Sequence, residues 1–158
     1  MAKAAALAVC ILALATFAHC HPEVFDIEGN VYCDPCRVEF ETRLSSPIAG
    51  ATVRLECRNS EFENVTYSIE GLTDSVGHYK LSVKGEHEED ICEISAVKSP
   101  REDCNVKFES FEKARISCTE NSGIKGDIRY ANPLGFMTEK SSSECQEVLE
   151  ELGLLPVV

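Results

Sequence analysis

The chain has 158 residues, of which nine are cysteine, and it carries 15 lysines and arginines against 27 aspartates and glutamates. This length fits one domain, or two small ones. The formal net charge of −12 argues against a nucleic-acid-binding protein, because such proteins concentrate lysine and arginine where they meet the phosphates. No interior apolar run reaches the roughly 18 residues of a membrane-spanning helix, so no membrane span is expected in the mature protein.

Residues 1–20 have the features of a secretory signal peptide. One basic residue, Lys3, precedes an almost uninterrupted apolar run, and small residues lie near the expected cleavage point. Cleavage is expected after Ala18 or after Cys20, which leaves one domain over about residues 21–158. The removed segment contains one lysine and no acid, so the formal charge changes from −12 to about −13 in the secreted chain.

Secretion predicts two covalent features. Disulfide bonds persist outside the cell, and seven cysteines remain after cleavage at Cys20, or eight if Cys20 is retained. Six paired cysteines allow fifteen connectivities, so spacing alone does not select the pairs. The polar stretch around Asn64-Val65-Thr66 contains an N-glycosylation sequon, which predicts a glycan at Asn64 on a surface loop.

The mature chain consists mostly of predicted β-strands. Residues 25–33 alternate apolar and polar side chains, and the turn at Pro47–Gly50 leads into a strict period-two strand over Ala51–Cys57. Because turns rather than long helices separate the strands, the pattern predicts an all-β fold, an antiparallel sandwich or barrel. Further predicted strands contain Tyr67 and Ile69, Tyr79 to Val83, Cys92 to Ala96, Ala114 to Cys118, and Asp127 to Tyr130.

The C-terminus is the one segment with a helical pattern. Its apolar residues recur at helical spacing, Ser142 or Ser143 can cap its start, and Gly153 can end it. Cys145 lies on the apolar face, so a disulfide from it would hold the helix against the sheet. The apolar residues of this pattern are Cys145, Val148, Leu149 and Leu152.

Cys33-Asp34-Pro35-Cys36 has the spacing of a thiol–disulfide oxidoreductase. Such enzymes place the first cysteine at a helix N-terminus, usually near a βαβ unit. Here the motif follows a strand in an all-β chain, which favours two separate structural disulfides over a redox centre at Cys33 and Cys36. A zinc site is less favoured, because His87 and Cys92 do not supply a close second pair of ligands.

The residue patterns do not suggest an enzyme. The chain has no Gly-x-Ser-x-Gly nucleophile motif, and the acidic residues at 86–90 lack the pattern of a calcium loop. His78 precedes a predicted strand, where an exposed polar residue is expected. We therefore expect no catalytic residue, no metal and no cofactor.

Residues 28–37, Glu-Gly-Asn-Val-Tyr-Cys-Asp-Pro-Cys-Arg, resemble the signature E-G-x-V-Y-C-D-x-C-R of the Ole e I-like pollen protein family. All eight fixed positions match. The later segment at 128–136 is similar to the family's Asn-Pro-Leu-Gly segment, and the cysteine intervals are similar as well. The resemblance implies a small closed antiparallel β-barrel with a short helix.

The resemblance also implies the disulfide pairs. They would be Cys33–Cys104, Cys36–Cys145 and Cys57–Cys92. Cys118 has no partner in that pattern. Since it continues an inward face with Ala114 and Ile116, a buried free thiol is expected, and a bond to Cys20 or to a second chain is the alternative.

The function implied by the resemblance is that of a secreted, non-enzymatic plant protein of the extracellular space, in pollen or another tissue. Family members are linked to pollen hydration, germination and tube growth, and some are described as ligands of receptor kinases. The expected partner is an extracellular receptor kinase or a cell-wall component, and the expected state is a monomer. An oxidoreductase using Cys33 and Cys36 and a proteinase inhibitor are the alternatives.

Overall fold

In a computed structural model of the chain, residues 24–154 are described. The predicted signal peptide and both of its cleavage positions lie outside this range, as does Cys20. Within the range, ten strands and one α-helix follow one another. The strands are β1 (Val24–Asp34), β2 (Ser46–Pro47), β3 (Thr52–Asn59), β4 (Val65–Leu72), β5 (His78–Lys84), β6 (Asp90–Lys98), β7 (Val106–Lys107), β8 (Lys113–Ile116), β9 (Ile128–Tyr130) and β10 (Leu134–Met137), and the helix is α1 (Cys145–Glu151).

The strands form two sheets. In the first, the N-terminal part of the long strand β1 pairs with β5 and β9, and its C-terminal part pairs with β2 and β10. Strand β7 extends this sheet beyond β10. The second sheet has the order β4-β3-β6-β8, and every pair in it is antiparallel.

One cluster of buried side chains draws on both sheets. Alternate residues of each strand enter it, because successive side chains of a strand point to opposite faces. Burial of each large aliphatic or aromatic side chain contributes about 1.5–3 kcal/mol, so this shared core holds the two sheets together. Its members include Phe25, Ile27 and Val31 of β1, Val53 and Leu55 of β3, Tyr79, Leu81 and Val83 of β5, Ile94 of β6, and Leu134 and Phe136 of β10.

The predicted all-β class with a short C-terminal helix is confirmed, but the closed antiparallel barrel is wrong. Among residues 24–154 the strands form two sheets rather than a closed ring. Strands β4 and β5 approach each other without pairing, and a Cβ placed on Gly71 would lie 2.4 Å from Leu81 Cδ2. The Leu81 side chain thus packs against the backbone of β4, and β4 and β5 are not paired in either sheet.

The sheet around β1 is also not purely antiparallel. Both β9 and β10 run parallel to β1. A parallel pair needs a long crossover connection, and here the chain builds the whole second sheet between the two partners. Strand alternation along the sequence carries no information about this pairing.

Helix α1 is short and attached by one buried edge. It begins at Cys145, and Ser142 forms the turn before it rather than its cap, since the Cys145 N–H donates to the Ser142 carbonyl at 3.2 Å. Gly153 ends the helix with a φ of 70°, as its position in the sequence predicts. Cys145 and Val148 are buried. No helix within residues 24–154 has the length and apolar character needed to cross a membrane.

Candidate functional site

The signature segment is organised around the carboxylate of Asp34, which is 0% exposed. Its Oδ1 accepts hydrogen bonds from the N–H groups of Cys36 and Arg37, at 2.8 and 3.0 Å. Its Oδ2 accepts from those of Val38 and Glu39, at 2.7 and 2.8 Å. Four donors around one carboxylate fix the loop that follows β1, including the positive φ angles of Arg37 (58°) and Glu39 (59°).

Other signature residues fill tight positions next to this loop. A Cβ at Gly29 would lie 2.3 Å from the Tyr79 hydroxyl oxygen, so only glycine lets Tyr79 pack here. Tyr32 makes an edge-on contact with Phe108, with ring centroids 5.9 Å apart. The Arg37 guanidinium donates to the Thr138 carbonyl. The signature therefore describes a structural unit.

Three disulfides extend from this unit and from the second sheet. Cys33 is bonded to Cys104 and Cys36 to Cys145, so the two cysteines of the Cys-x-x-Cys motif have different partners. Cys57 of β3 is bonded to Cys92 of β6, its direct neighbour in the register. These are the pairs that the resemblance implies. Since Cys33 and Cys36 carry no thiol in this arrangement, they supply neither a redox pair nor zinc ligands.

The family model described as "Pollen protein Ole e 1 like" matches residues 23–153. The chain belongs to this family. It is 60% identical to the anther-specific protein LAT52 of Solanum lycopersicum over 159 residues, which cover 99% of each chain. It is 47% identical to the pollen allergen Che a 1 of Chenopodium album, covering 95% of this chain and 91% of that one.

A solved structure also matches the fold of this Ole e 1-like chain. The crystal structure of the major plantain pollen allergen Pla l 1 aligns with a TM-score of 0.69 and 35% identity. The alignment covers 77% of this chain and 99% of that one. The two-sheet architecture is therefore shared with a pollen allergen.

The sequon of the Ole e 1-like chain lies at the turn between β3 and β4. Asn64 is exposed, as a glycan acceptor must be, and its backbone carbonyl accepts from the Asn59 N–H at 3.0 Å. The Thr66 hydroxyl, by contrast, is part of the structure. It is 2.6 Å from Asp90 Oδ2 and 3.2 Å from the Cys57 carbonyl oxygen.

Two substitutions in the sequon are therefore expected to distinguish loss of the glycan from loss of the Thr66 hydrogen bond. Both Asn64→Gln and Thr66→Ala are expected to abolish glycosylation, which a mobility shift after glycosidase treatment measures. Only Thr66→Ala removes the hydrogen bond to the Asp90 carboxylate, so after deglycosylation of all samples it is expected to cost about 1–2 kcal/mol more than Asn64→Gln. Equal urea midpoints for the two variants would contradict this role of Thr66.

A second carboxylate, Glu39, holds the loop that follows β7. Its oxygens accept from the N–H groups of Glu109, Ser110 and Phe111 at 2.8 to 3.0 Å. Partial burial opposes ionisation of this carboxyl, but the three backbone hydrogen bonds outweigh it and hold the pKa of Glu39 below its ordinary value. The loop so fixed forms one wall of an apolar cavity of ≈ 290 Å³, whose lining includes Tyr32, Phe40, Phe111, Pro133 and Leu134.

In Asp90, as in Glu39, burial and hydrogen bonding have opposite effects on the pKa of the carboxyl. Burial of its carboxyl opposes ionisation, but hydrogen bonds from Thr66 and His87 hold the pKa of Asp90 below its ordinary value. The His87 Nδ1 atom is 2.9 Å from Asp90 Oδ2, and each side chain is 10% exposed. The segment at 86–90, predicted from sequence as a solvated charged loop, therefore contains a mostly buried hydrogen-bonded pair.

Acid is expected to destabilise the fold through these carboxylates. A carboxyl whose pKa is lower in the folded chain stabilises the fold above its ordinary pKa, near 4. That contribution is lost as the pH falls through the lowered folded value. Urea midpoints measured from about pH 6 down to about pH 2 should decrease in this window. The decrease should be smaller in Asp90→Asn, and an equal decrease in that variant would contradict the role of Asp90.

Cys118 is the cysteine without a disulfide among residues 24–154, and it is buried. Burial raises the pKa of its thiol to about 11, although the nearby charge of Arg129 acts in the opposite direction. Sequence predicted a buried free thiol here, and the structure places it beside the Cys57–Cys92 disulfide, which sequence did not predict. The alternative partner Cys20 lies outside the described residues.

Arg129 is a structural residue that the sequence pattern did not single out. Its side chain is 2% exposed and its guanidinium lies 4.8 Å above the Phe25 ring. It donates to the carbonyls of Ile128 and Thr119, at 3.3 and 3.2 Å. The alternation of side chains along β9 places residue 129 on the inner face of the strand, and this was the only sequence signal for its burial. The signal is weak because arginine is seldom buried.

Proposed function

We propose that this Ole e 1-like chain is a secreted, non-enzymatic extracellular protein that acts in pollen hydration, germination or tube growth by binding a receptor kinase or a cell-wall component. The identity of 60% to an anther-specific protein over 99% of both chains carries the proposal. Several further relatives are named as pollen allergens or pollen-specific proteins.

The architecture supports a binding role in the extracellular space. Three disulfides connect strands and helix at widely separated positions, with sequence separations of 71, 109 and 35 residues. Such cross-links restrict the unfolded chain and favour persistence outside the cell. The formal charge is −12 for the full chain and about −13 for the secreted chain. It gives the surface a negative potential that attracts a positively charged partner over a distance set by the salt concentration.

The test uses the secreted protein purified from plant cells. N-terminal sequencing is expected to give a chain starting at His19 or His21, and light scattering is expected to give the mass of one chain. Binding to immobilised pollen receptor-kinase ectodomains and to cell-wall polysaccharides is then measured over a series of salt concentrations. Saturable binding that weakens as salt rises is expected.

The control is the Asn64→Gln variant, which separates protein-mediated from glycan-mediated binding. Disruption of the gene should in parallel slow pollen hydration, germination or tube growth. Normal pollen in the disrupted plants, together with no binding to either class of partner, would overturn the proposal.

A further inference from the structure

The second sheet contains three sulfur atoms in one place. The Cys57–Cys92 disulfide joins neighbouring strands β3 and β6, and Cys118 follows β8, the next strand beyond β6. Each pair of the three sulfur atoms lies within 4.8 Å. All three residues are at most 2% exposed. A thiol thus lies close to a disulfide in the folded chain.

Cys92 and Cys118 share an open cavity of ≈ 420 Å³, whereas Cys57 does not line it. His87 lines the same cavity, and its N–H donates to the Cys118 carbonyl at 3.0 Å. This backbone hydrogen bond holds the histidine segment next to the thiol. The Cys118 thiol lies within 4.8 Å of both sulfur atoms of the disulfide, and Cys92 is the disulfide residue that lines the same cavity as Cys118.

His87 offers a place for the proton of the thiol. Its side chain is 10% exposed, its Nδ1 is paired with Asp90, and its Nε2 is buried without a hydrogen-bond partner. If Nδ1 carries the hydrogen that Asp90 accepts, Nε2 is left with a free lone pair. A buried imidazole nitrogen of this kind is suited to accept a proton within the cavity.

We propose that Cys57, Cys92 and Cys118 form an internal thiol–disulfide exchange site with two bonded forms. The Cys118 thiol gives its proton to His87 Nε2, and the resulting thiolate attacks the Cys92 sulfur. The Cys92–Cys118 bond forms while the Cys57–Cys92 bond breaks. The Cys57 thiolate that leaves takes up one proton from solvent, and His87 releases the proton that it accepted to the open cavity. One thiol and one disulfide are present before and after, so the step needs no oxidant or reductant.

The exchange changes which strands are covalently joined. The first form links β3 to β6, and the second links β6 to the segment after β8. In His87→Gln, where the Cys118 thiolate must form by loss of its proton to solvent, the rate is expected to rise about tenfold per pH unit below the pKa of Cys118. Transfer of the proton to His87 in the wild-type chain makes the rate less dependent on pH. The charged and titratable groups that face the cluster are Glu86, His87, Glu88, Asp90, Arg115 and Arg129.

The first test asks whether the second bond can form in the folded chain. In Cys57→Ser, mild oxidation is expected to close a Cys92–Cys118 bond, seen as a loss of two hydrogens in the intact mass and as a linked peptide after digestion. The Cys57→Ser/Cys118→Ser chain is the matched control and should show neither. Circular dichroism and the other two disulfides report that the variants are folded. A folded Cys57→Ser chain that keeps two thiols would overturn the proposal.

The second test follows the wild-type chain. After incubation at about pH 9, the protein is quenched in acid, unfolded and labelled with a maleimide, so that the free thiol is trapped where it lies. Label on Cys57 together with a Cys92–Cys118 peptide is expected, and it should be absent in Cys118→Ser. Label confined to Cys118 at every time and pH would overturn the proposal.

His87→Gln is expected to slow the appearance of Cys57 label by at least about tenfold at neutral pH, and an unchanged rate would contradict the proton transfer to His87.

Discussion

Replacing Asp34 with alanine is expected to lower the free energy of unfolding by about 3–5 kcal/mol. The carboxylate is fully buried and accepts four backbone N–H groups between 2.7 and 3.0 Å. Alanine leaves these donors without a partner, and an unsatisfied buried donor costs more than the net value of the hydrogen bond that it made. The loop would also lose the restraint on the positive φ angles of Arg37 and Glu39.

Asp74→Ala is the matched control. The Asp74 carboxylate also accepts two backbone N–H groups, from Val76 and His78 at 2.9 Å, but at an exposed turn where water replaces it. Its loss is therefore expected to destabilise the fold much less than the loss of Asp34 does. The loss of stability in Asp34→Asn should lie between the losses in Asp34→Ala and Asp74→Ala. One side-chain oxygen remains an acceptor in this variant, while the amide nitrogen faces backbone N–H donors. Urea unfolding followed by fluorescence or circular dichroism measures all three, and equal losses for Asp34→Ala and Asp74→Ala would contradict the role of burial.

The strands that alternation predicted well are those with one buried face. Ala51–Cys57, Tyr79–Val83 and Cys92–Ala96 each place every second residue in the shared core, so the period-two pattern is complete. In strand β1 the period-two pattern is present only in the first half. Beyond Asn30 it is buried at consecutive residues, because Val31 and Cys33 enter the shared core while Tyr32, on the opposite face, packs with Phe108 and Met137.

The topology could not be read from this pattern. Alternation tells which face of a strand is buried but not which strand lies beside it, and so β9 and β10 gave no sign of lying parallel to β1. Whether two sheets join into a barrel depends on pairing between strands that are distant in sequence, and β4 and β5 are not paired here. The family resemblance supplied the expectation of a closed barrel, and the strand pairing contradicts it.

For the candidate sites, too, the sequence predicts individual residues but not the contacts between distant segments. The sequence identifies the Asn64 sequon by residue type, and the resemblance to the family identifies Cys118 as the cysteine without a partner. It does not show that Cys118 lies beside Cys92, or that His87 is paired with Asp90, because these contacts join segments of different strands. Asp34 could be noticed as a fixed signature position, but its four hydrogen bonds depend on the backbone conformation of the loop.

Removing the Cys36–Cys145 disulfide by substituting both cysteines with serine is expected to release helix α1 and to lower the free energy of unfolding by about 2–5 kcal/mol. The disulfide closes the longest loop of the three, with a sequence separation of 109 residues. Apart from Cys145, the helix has one buried residue, Val148. Its ion pairs with Arg43, at 3.2 and 3.8 Å, are exposed and contribute little.

Hydrogen exchange distinguishes release of the helix from a general loss of stability. A seven-residue helix is marginal on its own, so amides of α1 should lose protection in Cys36→Ser/Cys145→Ser while those of β3 and β6 keep most of theirs. The control variant Cys57→Ser/Cys92→Ser should show the reverse order, because its disulfide lies within the second sheet and closes a loop with a separation of 35 residues. Helix protection equal in both variants would show that Val148 packing, and not the disulfide, holds α1 in place.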